Sequence, residues 1–387
     1  MARRHAGCPP TRRGLLVFLL GTARATNNNC SVGDPLACSL NGVCDAGTCA
    51  CDAPWGGAAC ETLRFAPGKE TACGKLCAYH GHGNDTTSWG GSVVEANGTY
   101  YMFVAEMTRG CDLGAWRTNS QVVLAASDDP LGPFDYVMDV VAPWAHNPQV
   151  VAAPDGDGGL VYALYALGDG VPLAPEQDCG GRRRAAAAGA PRNLSRANFT
   201  IHYARHPTGP WLSHVASILD WPSNWDYGAV GNWNPAPMVH PDTGRVFLMA
   251  HTSPTAFDGE AIVAADSWRG PYSVVASSTS STWRGSVKHA EDPFLWVDAR
   301  GHWHALYHAL GGDPGGHAYS LDGSVWSDVA AAYGTSRPLG GGASVGYGAE
   351  RPKLLFGDGA RPRTPTHLYN GGSKADAFTI ASPLAAA

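Results

Sequence analysis

Ala125-Ala126-Ser127-Asp128-Asp129-Pro130-Leu131-Gly132-Pro133-Phe134 is a phrase that this chain repeats. It returns as Ala204-Arg205-His206-Pro207-Thr208-Gly209-Pro210-Trp211 and as Ala264-Ala265-Asp266-Ser267-Trp268-Arg269-Gly270-Pro271-Tyr272. A looser copy reads Tyr319-Ser320-Leu321-Asp322-Gly323-Ser324-Val325-Trp326. Each copy ends an apolar strand, turns through small and polar residues, and closes on Gly-Pro-aromatic or its remnant. Copies at intervals of roughly 55 to 80 residues imply an array of similar supersecondary units.

Reading outward from the phrase completes the unit. Each begins with a short buried strand that opens on a polar residue and, in four of five cases, proline: Gly90-Gly91, Asn147-Pro148, Asn234-Pro235, Asp292-Pro293 and Arg351-Pro352. Hairpin turns follow at Ala96-Asn97-Gly98, Pro154-Asp155-Gly156, Pro241-Asp242-Thr243-Gly244, Asp298-Ala299-Arg300-Gly301 and Gly357-Asp358-Gly359, whose residues suit positive φ. An aromatic-rich strand pairs back, as in Thr99-Tyr100-Tyr101-Met102-Phe103 and His302-Trp303-His304-Ala305-Leu306-Tyr307. The phrase supplies the third strand and the turn into the fourth. Five such units arranged radially leave only short edges, so the predicted fold is all-β, a five-bladed β-propeller over residues 80–387. A β-sandwich explains the alternation but not five copies of one order. Residues 171–198, rich in Arg, Ala and Gly, read as a loop inserted in blade two.

Composition agrees with this reading. Gly 49, Pro 28, Trp 13 and Tyr 14 in 387 residues suit many turns and short strands. A net charge of −6 argues against nucleic acid as a partner, since phosphate binding needs a concentrated positive field. Residues 1–25 read as a signal peptide: Arg12 and Arg13, a short apolar run from Gly14 to Gly21, then Ala23-Arg24-Ala25. That run is too short for a stable membrane span, which makes an anchor the lesser reading. Cleavage there leaves ten cysteines, an even number favouring disulfides in an exported protein. Sequons at Asn84, Asn97, Asn193 and Asn198 are candidate glycosylation sites for the same compartment.

Six cysteines crowd into residues 26–62: Cys30, Cys38, Cys44, Cys49, Cys51 and Cys60. So short a segment cannot bury a self-sufficient core and needs cross-links. Spacing alone leaves 15 connectivities open. The stretch Cys49-Ala50-Cys51-Asp52-Ala53-Pro54-Trp55-Gly56-Gly57-Ala58-Ala59-Cys60 resembles the C-terminal half of an epidermal growth factor-like (EGF-like) module. That resemblance implies Cys30–Cys44, Cys38–Cys49 and Cys51–Cys60. The preceding Thr26-Asn27-Asn28-Asn29 offers no carboxylate, so calcium is not expected there. The module reads as a cap or spacer, with an extracellular protein as an alternative partner. Residues 63–79 read as a linker. Cys73 and Cys77 are close together, and whether each pairs elsewhere, with Cys111 and Cys179, is left open by the sequence, a zinc site being the weaker alternative.

The turns and the Asp/Asn-Pro strand starts resemble the five-bladed propellers of glycoside hydrolase family 43 and the related families 32, 68 and 117, over residues 80–383. The resemblance implies carbohydrate as partner and three carboxylates at strand starts of the first three blades: a base, an acid and an orienting Asp. This chain departs from it, because blades two and three offer Asn147 and Asn234, and amides cannot serve as a general acid or base. The carboxylates sit instead at Glu291, Asp292 and Glu350, with Asp85 ahead of blade one. Glycosidic cleavage needs one group to protonate the leaving oxygen and another to activate water or attack carbon. Asp292 and Glu350 are therefore the expected pair, with Glu291 or Asp85 tuning them. Trp89, His146, Asn147, Trp233, Asn234, His289 and Arg351 are the expected sugar-binding residues, and Trp116, Trp144, Trp225 and Tyr227 could add stacking faces. No cofactor is expected, although the channel could hold a structural ion. Two functions follow: a secreted glycoside hydrolase, or an extracellular carbohydrate-binding or adhesion glycoprotein without catalysis.

Overall fold

The computed structural model describes residues 30–172, 174–180, 198–222, 234–252, 259–278, 290–309, 315–357, 364–372 and 377–386. The signal segment, Asn193 and most of the blade-two insertion lie outside them, as do Trp225, Tyr227, Trp233 and His289.

Five four-stranded antiparallel sheets form the propeller. From axis to rim, blade one is Thr87–Ala96, Thr99–Met107, Ser120–Ser127 and Asp135–Val141. Blade two is His146–Pro154, Leu160–Leu167, Asn198–Ala204 and Leu212–Ser217. Blade three is Ala236–Val239, Val246–His251, Glu260–Ala265 and Ser273–Ser277. Blade four is Ala290–Val297, Trp303–Ala309, Gly315–Ser320 and Ala330–Tyr333. Blade five is Glu350–Phe356, Pro365–Gly371 and Thr379–Pro383, completed at its rim by Cys77–Tyr79. The ring thus closes by pairing a strand from before blade one with the last strand of the chain. Residues 63–79 are therefore not a bare linker: Cys77–Tyr79 belong to the propeller.

The repeated phrase now has a shape. Gly132, Gly209 and Gly270 have φ of 72°, 86° and 76°, and the Gly-Pro bonds that follow are all cis. Each turn swings the next aromatic between blades. Tyr272 is buried and its hydroxyl lies 3.0 Å from that of Tyr165 in blade two. Blade five has no phrase because its fourth strand comes from elsewhere in the chain. Side chains of a radial sheet point sideways, so the core is five wedges, one per blade interface. The wedge between blades four and five also takes in Cys38, Trp55, Cys60 and Leu63 of the N-terminal module.

That module is bound by Cys30–Cys44, Cys38–Cys49 and Cys51–Cys60, the pairing the EGF resemblance implies. It is docked rather than tethered. Trp55 is buried against His317 at 4.6 Å between ring centroids. Arg300 donates to Leu40 O at 2.8 Å and pairs with the Asp52 carboxylate.

The other four cysteines form two further bridges, neither joining the hairpin to the insertion. Cys73 pairs with Cys77, and Cys111 with Cys179. A tight hairpin (Glu70–Thr71 against Gly74–Lys75) folds Cys73 back onto its near neighbour. Cys111–Cys179 fastens the start of the blade-two insertion to blade one. Asn84, Asn97 and Asn198 are exposed. No helix among the described residues is long and apolar enough to cross a membrane.

Candidate active site

The strand starts build the site. A proline has no N–H for the ladder and forces the pairing to slip. Register shifts fall between Trp89 and Gly91, His146 and Gln149, Glu291 and Phe294, and Glu350 and Lys353. The first residue skipped in each case is Gly90, Asn147, Asp292 or Arg351, with φ of 67°, 49°, 54° and 56°; in the last three the following proline is skipped with it. Asn234, just ahead of blade three, has φ 44°. All five blades therefore carry a left-handed residue at this point, a conformation that Asn, Asp and Gly tolerate best, and in four of them it marks a bulge.

Their side chains meet across the blades. Asn147 Nδ2 donates to Asn234 Oδ1 at 3.0 Å and to Asp292 Oδ1 at 3.0 Å. Arg351 Nε lies 3.7 Å from Asp292 Oδ2. The Arg351 stem fills the space that glycine leaves in blade one, where a Cβ on Gly90 would sit 3.3 Å from Arg351 Cβ. Asn147, Asn234 and Asp292 are buried. Asp292 thus accepts from an amide and lies near a guanidinium, with His308 Nδ1 3.9 Å from its Oδ2.

The residues just before the bulges form the next layer. Trp89 is fully buried, pressed against Gly371, where a Cβ would come within 2.4 Å of its ring. His146 is fully buried, 2.7 Å from Ser120 Oγ and stacked on Trp116 at 5.2 Å. Burial, then the Arg351 charge, holds His146 well below the usual histidine range. Both side chains are packing, not faces offered to a sugar, and Trp144 is buried likewise. Asp85 is exposed on the loop ahead of blade one, and among the described contacts its carboxylate touches none of the ring.

Glu291 and Glu350 differ, because they flank His308. His308 Nδ1 is 3.0 Å from Glu291 Oε1, and Nε2 is 3.7 Å from Glu350 Oε1. The Glu291, Glu350 and His308 side chains are 20%, 10% and 9% exposed, so the cluster is lined by protein yet reaches solvent. Burial lowers the His308 pKa. The Glu291 hydrogen bond and the charges of Asp292 and Glu350 outweigh it, so the net shift is upward. Glu291, Asp292 and His308 each place a ligand atom within 4.8 Å of the others, compact enough for a shared proton or a cation. The ion foreseen for the channel would find its donors here. His308 escaped sequence reasoning because it lies on the second strand of blade four. Its one sequence signal is its place in the run His302-Trp303-His304-Ala305-Leu306-Tyr307-His308, which pairs His308 opposite Glu291.

Comparison with known proteins accords with this architecture. Residues 35–62 match the teneurin-like EGF domain family. No curated protein matches the chain in sequence. Among solved structures, a family 117 glycoside hydrolase from the marine bacterium Zobellia galactanivorans superposes with TM-score 0.52 at 14% identity, over 84% of this chain and 89% of that one. An exo-β-1,3-galactanase from Phanerochaete chrysosporium gives 0.49 at 12% identity, over 83% of this chain and 64% of that one. An exo-β-1,3-galactanase from Clostridium thermocellum gives 0.49 at 14%, over 83% and 62%. The N-terminal module is EGF-like, and the propeller has the fold of a glycoside hydrolase.

Proposed function

We propose that this is a secreted glycoside hydrolase acting on poly- or oligosaccharides, with Glu291, His308 and Glu350 as its working groups. One observation carries the reading: a histidine held between a partly open carboxylate and a buried one, beside the ring of strand-start residues. An imidazole in that field keeps its proton at mildly acidic pH and can give it to a leaving glycosidic oxygen. Glu350, on the far side of the ring nitrogens, would take the proton of the attacking water, while Glu291 orients His308 through Nδ1. Asn147, Asn234, Asp292 and Arg351 form the floor. The disulfides, the EGF-like module and the exposed sequons at Asn84, Asn97 and Asn198 fit export and glycosylation.

The second reading, a carbohydrate-binding or adhesion glycoprotein without catalysis, is favoured by Asn147 and Asn234 standing where the resemblance implies acids. A panel of aryl glycosides and a glycan array decide between them. The hydrolase reading expects turnover that falls at least a hundredfold in Glu350→Gln and in His308→Ala, consistent with loss of a general acid or base. Glycan capture by the wild type with no turnover, with and without added divalent cations, supports the binding protein instead.

A further inference from the structure

A buried histidine–glutamate pair lies under the bulge of blade four. His251 ends the second strand of blade three, and Glu260, its cross-strand partner, begins the third. Their side chains are 2% and 1% exposed, with His251 Nδ1 and Glu260 Oε1 2.7 Å apart. On its other side the imidazole reaches into the next blade, where the Asp292 backbone N–H donates to Nε2 at 3.3 Å. The Glu260 N–H is itself fixed, donating to Ser278 Oγ at 2.8 Å.

The Asp292 amide needs such a partner. The slip between Glu291 and Phe294 removes it from the ladder of blade four. A buried N–H left unpaired costs about 1–3 kcal/mol. Asp292 also holds φ 54°, a sparsely populated conformation that persists where the surroundings over-determine it. The bulge decides two directions at once. It points the Asp292 carboxylate at Asn147 and Arg351, and it points the preceding Glu291 at His308. A carboxylate on Nδ1 selects the tautomer whose Nε2 lone pair is free to accept, the arrangement by which outer carboxylates orient working histidines.

We propose that His251 and Glu260 are positioning residues that hold the Asp292 bulge, and through it set Glu291 against His308. Neither touches substrate. The inference builds on the hydrolase reading, but its first test does not depend on turnover.

That test is amide hydrogen exchange at Asp292 together with imidazole ¹⁵N shifts at neutral pH, on the full chain. Wild type is expected to show a protected Asp292 amide and a His251 protonated at Nδ1 alone. His251→Leu, which cannot accept, should expose the amide, and His251→Gln, whose carbonyl can accept, should restore protection. An Asp292 amide indifferent to His251→Leu overturns the proposal, as does a His251 protonated at Nε2. The second test is kinetic. Glu260→Gln should lower kcat about 10- to 100-fold, the usual cost of an outer-shell partner, with KM little changed. The acid limb of its pH profile should also move. A loss of activity that tracks only a fall in Tm overturns the positioning role. Absence of turnover in the wild type sinks the hydrolase reading and leaves the exchange result standing.

Discussion

Charge at the axis is balanced residue by residue, and Asp292 is the pivot. Asp292→Asn keeps an oxygen for Asn147 Nδ2 but removes the countercharge of Arg351. Stranding a buried guanidinium costs about 3–5 kcal/mol, so the denaturant midpoint of this variant should drop accordingly. Adding Arg351→Met should recover much of the loss, because the stranded charge is then gone too. Equal destabilisation of the single and double variants would show that the pair is not coupled. Glu350→Gln keeps the shape of a buried side chain whose carboxylate lies 3.7 Å from His308 Nε2; it should cost about 1 kcal/mol, less than Asp292→Asn, so that its main effect falls on turnover. The two substitutions separate scaffold from chemistry at neighbouring layers of one funnel.

Strands and turns carry a different kind of information. Gly371, at the end of the second strand of blade five, faces the Trp89 ring; Gly371→Ala should destabilise by about 1–3 kcal/mol through overpacking. An unchanged melting temperature would refute that packing. At the closure, Tyr79 donates to the buried Glu106 carboxylate at 2.6 Å, and the His82 N–H donates to the same carboxylate at 3.0 Å. Tyr79→Phe leaves one carboxylate oxygen short of a donor, which costs about 1–3 kcal/mol and should loosen protease protection of residues 77–79 before that of blade three. Elements of this kind explain what was legible in advance. Proline before a strand and Gly-Pro-aromatic after one are local signals, so the five blades and the bulge residues could be read from spacing and type, while the EGF pairing came from the family resemblance. Whether Asp292 faces substrate or its own neighbours depends on the sign of φ and on side chains from three other blades. His308 becomes visible only when the second strand of blade four is placed in register with the first. Cys73–Cys77 depends on a two-residue hairpin too short to show a period.

For the molecule as a whole, buried histidines set the response to acid. Burial pushes His202 and His367 down to about 4, with Asp169 and Asp129 opposing weakly, and His317 lies well below the usual range for the same reason. Groups whose folded pKa is depressed bind protons more readily when unfolded. Their contribution is complete above the unfolded value of about 6.5 and drains away as pH falls from there towards 4, by about 1.4 kcal/mol per pKa unit for each group. Tm should fall steadily below pH 6.5, and the paired substitutions His202→Gln and His367→Gln should flatten that slope; a slope unchanged by them would assign acid sensitivity elsewhere. The closing seam of the ring carries one more consequence. Ser88 and Thr379, which meet there at 3.0 Å, are 291 residues apart. During synthesis the strand at residues 77–79 emerges 300 residues ahead of its partner, Tyr79 pairing with Thr379. The nascent chain must therefore keep one edge vacant while those residues are made, and any truncation before residue 379 yields an open crescent with two unmatched ends instead of a smaller ring.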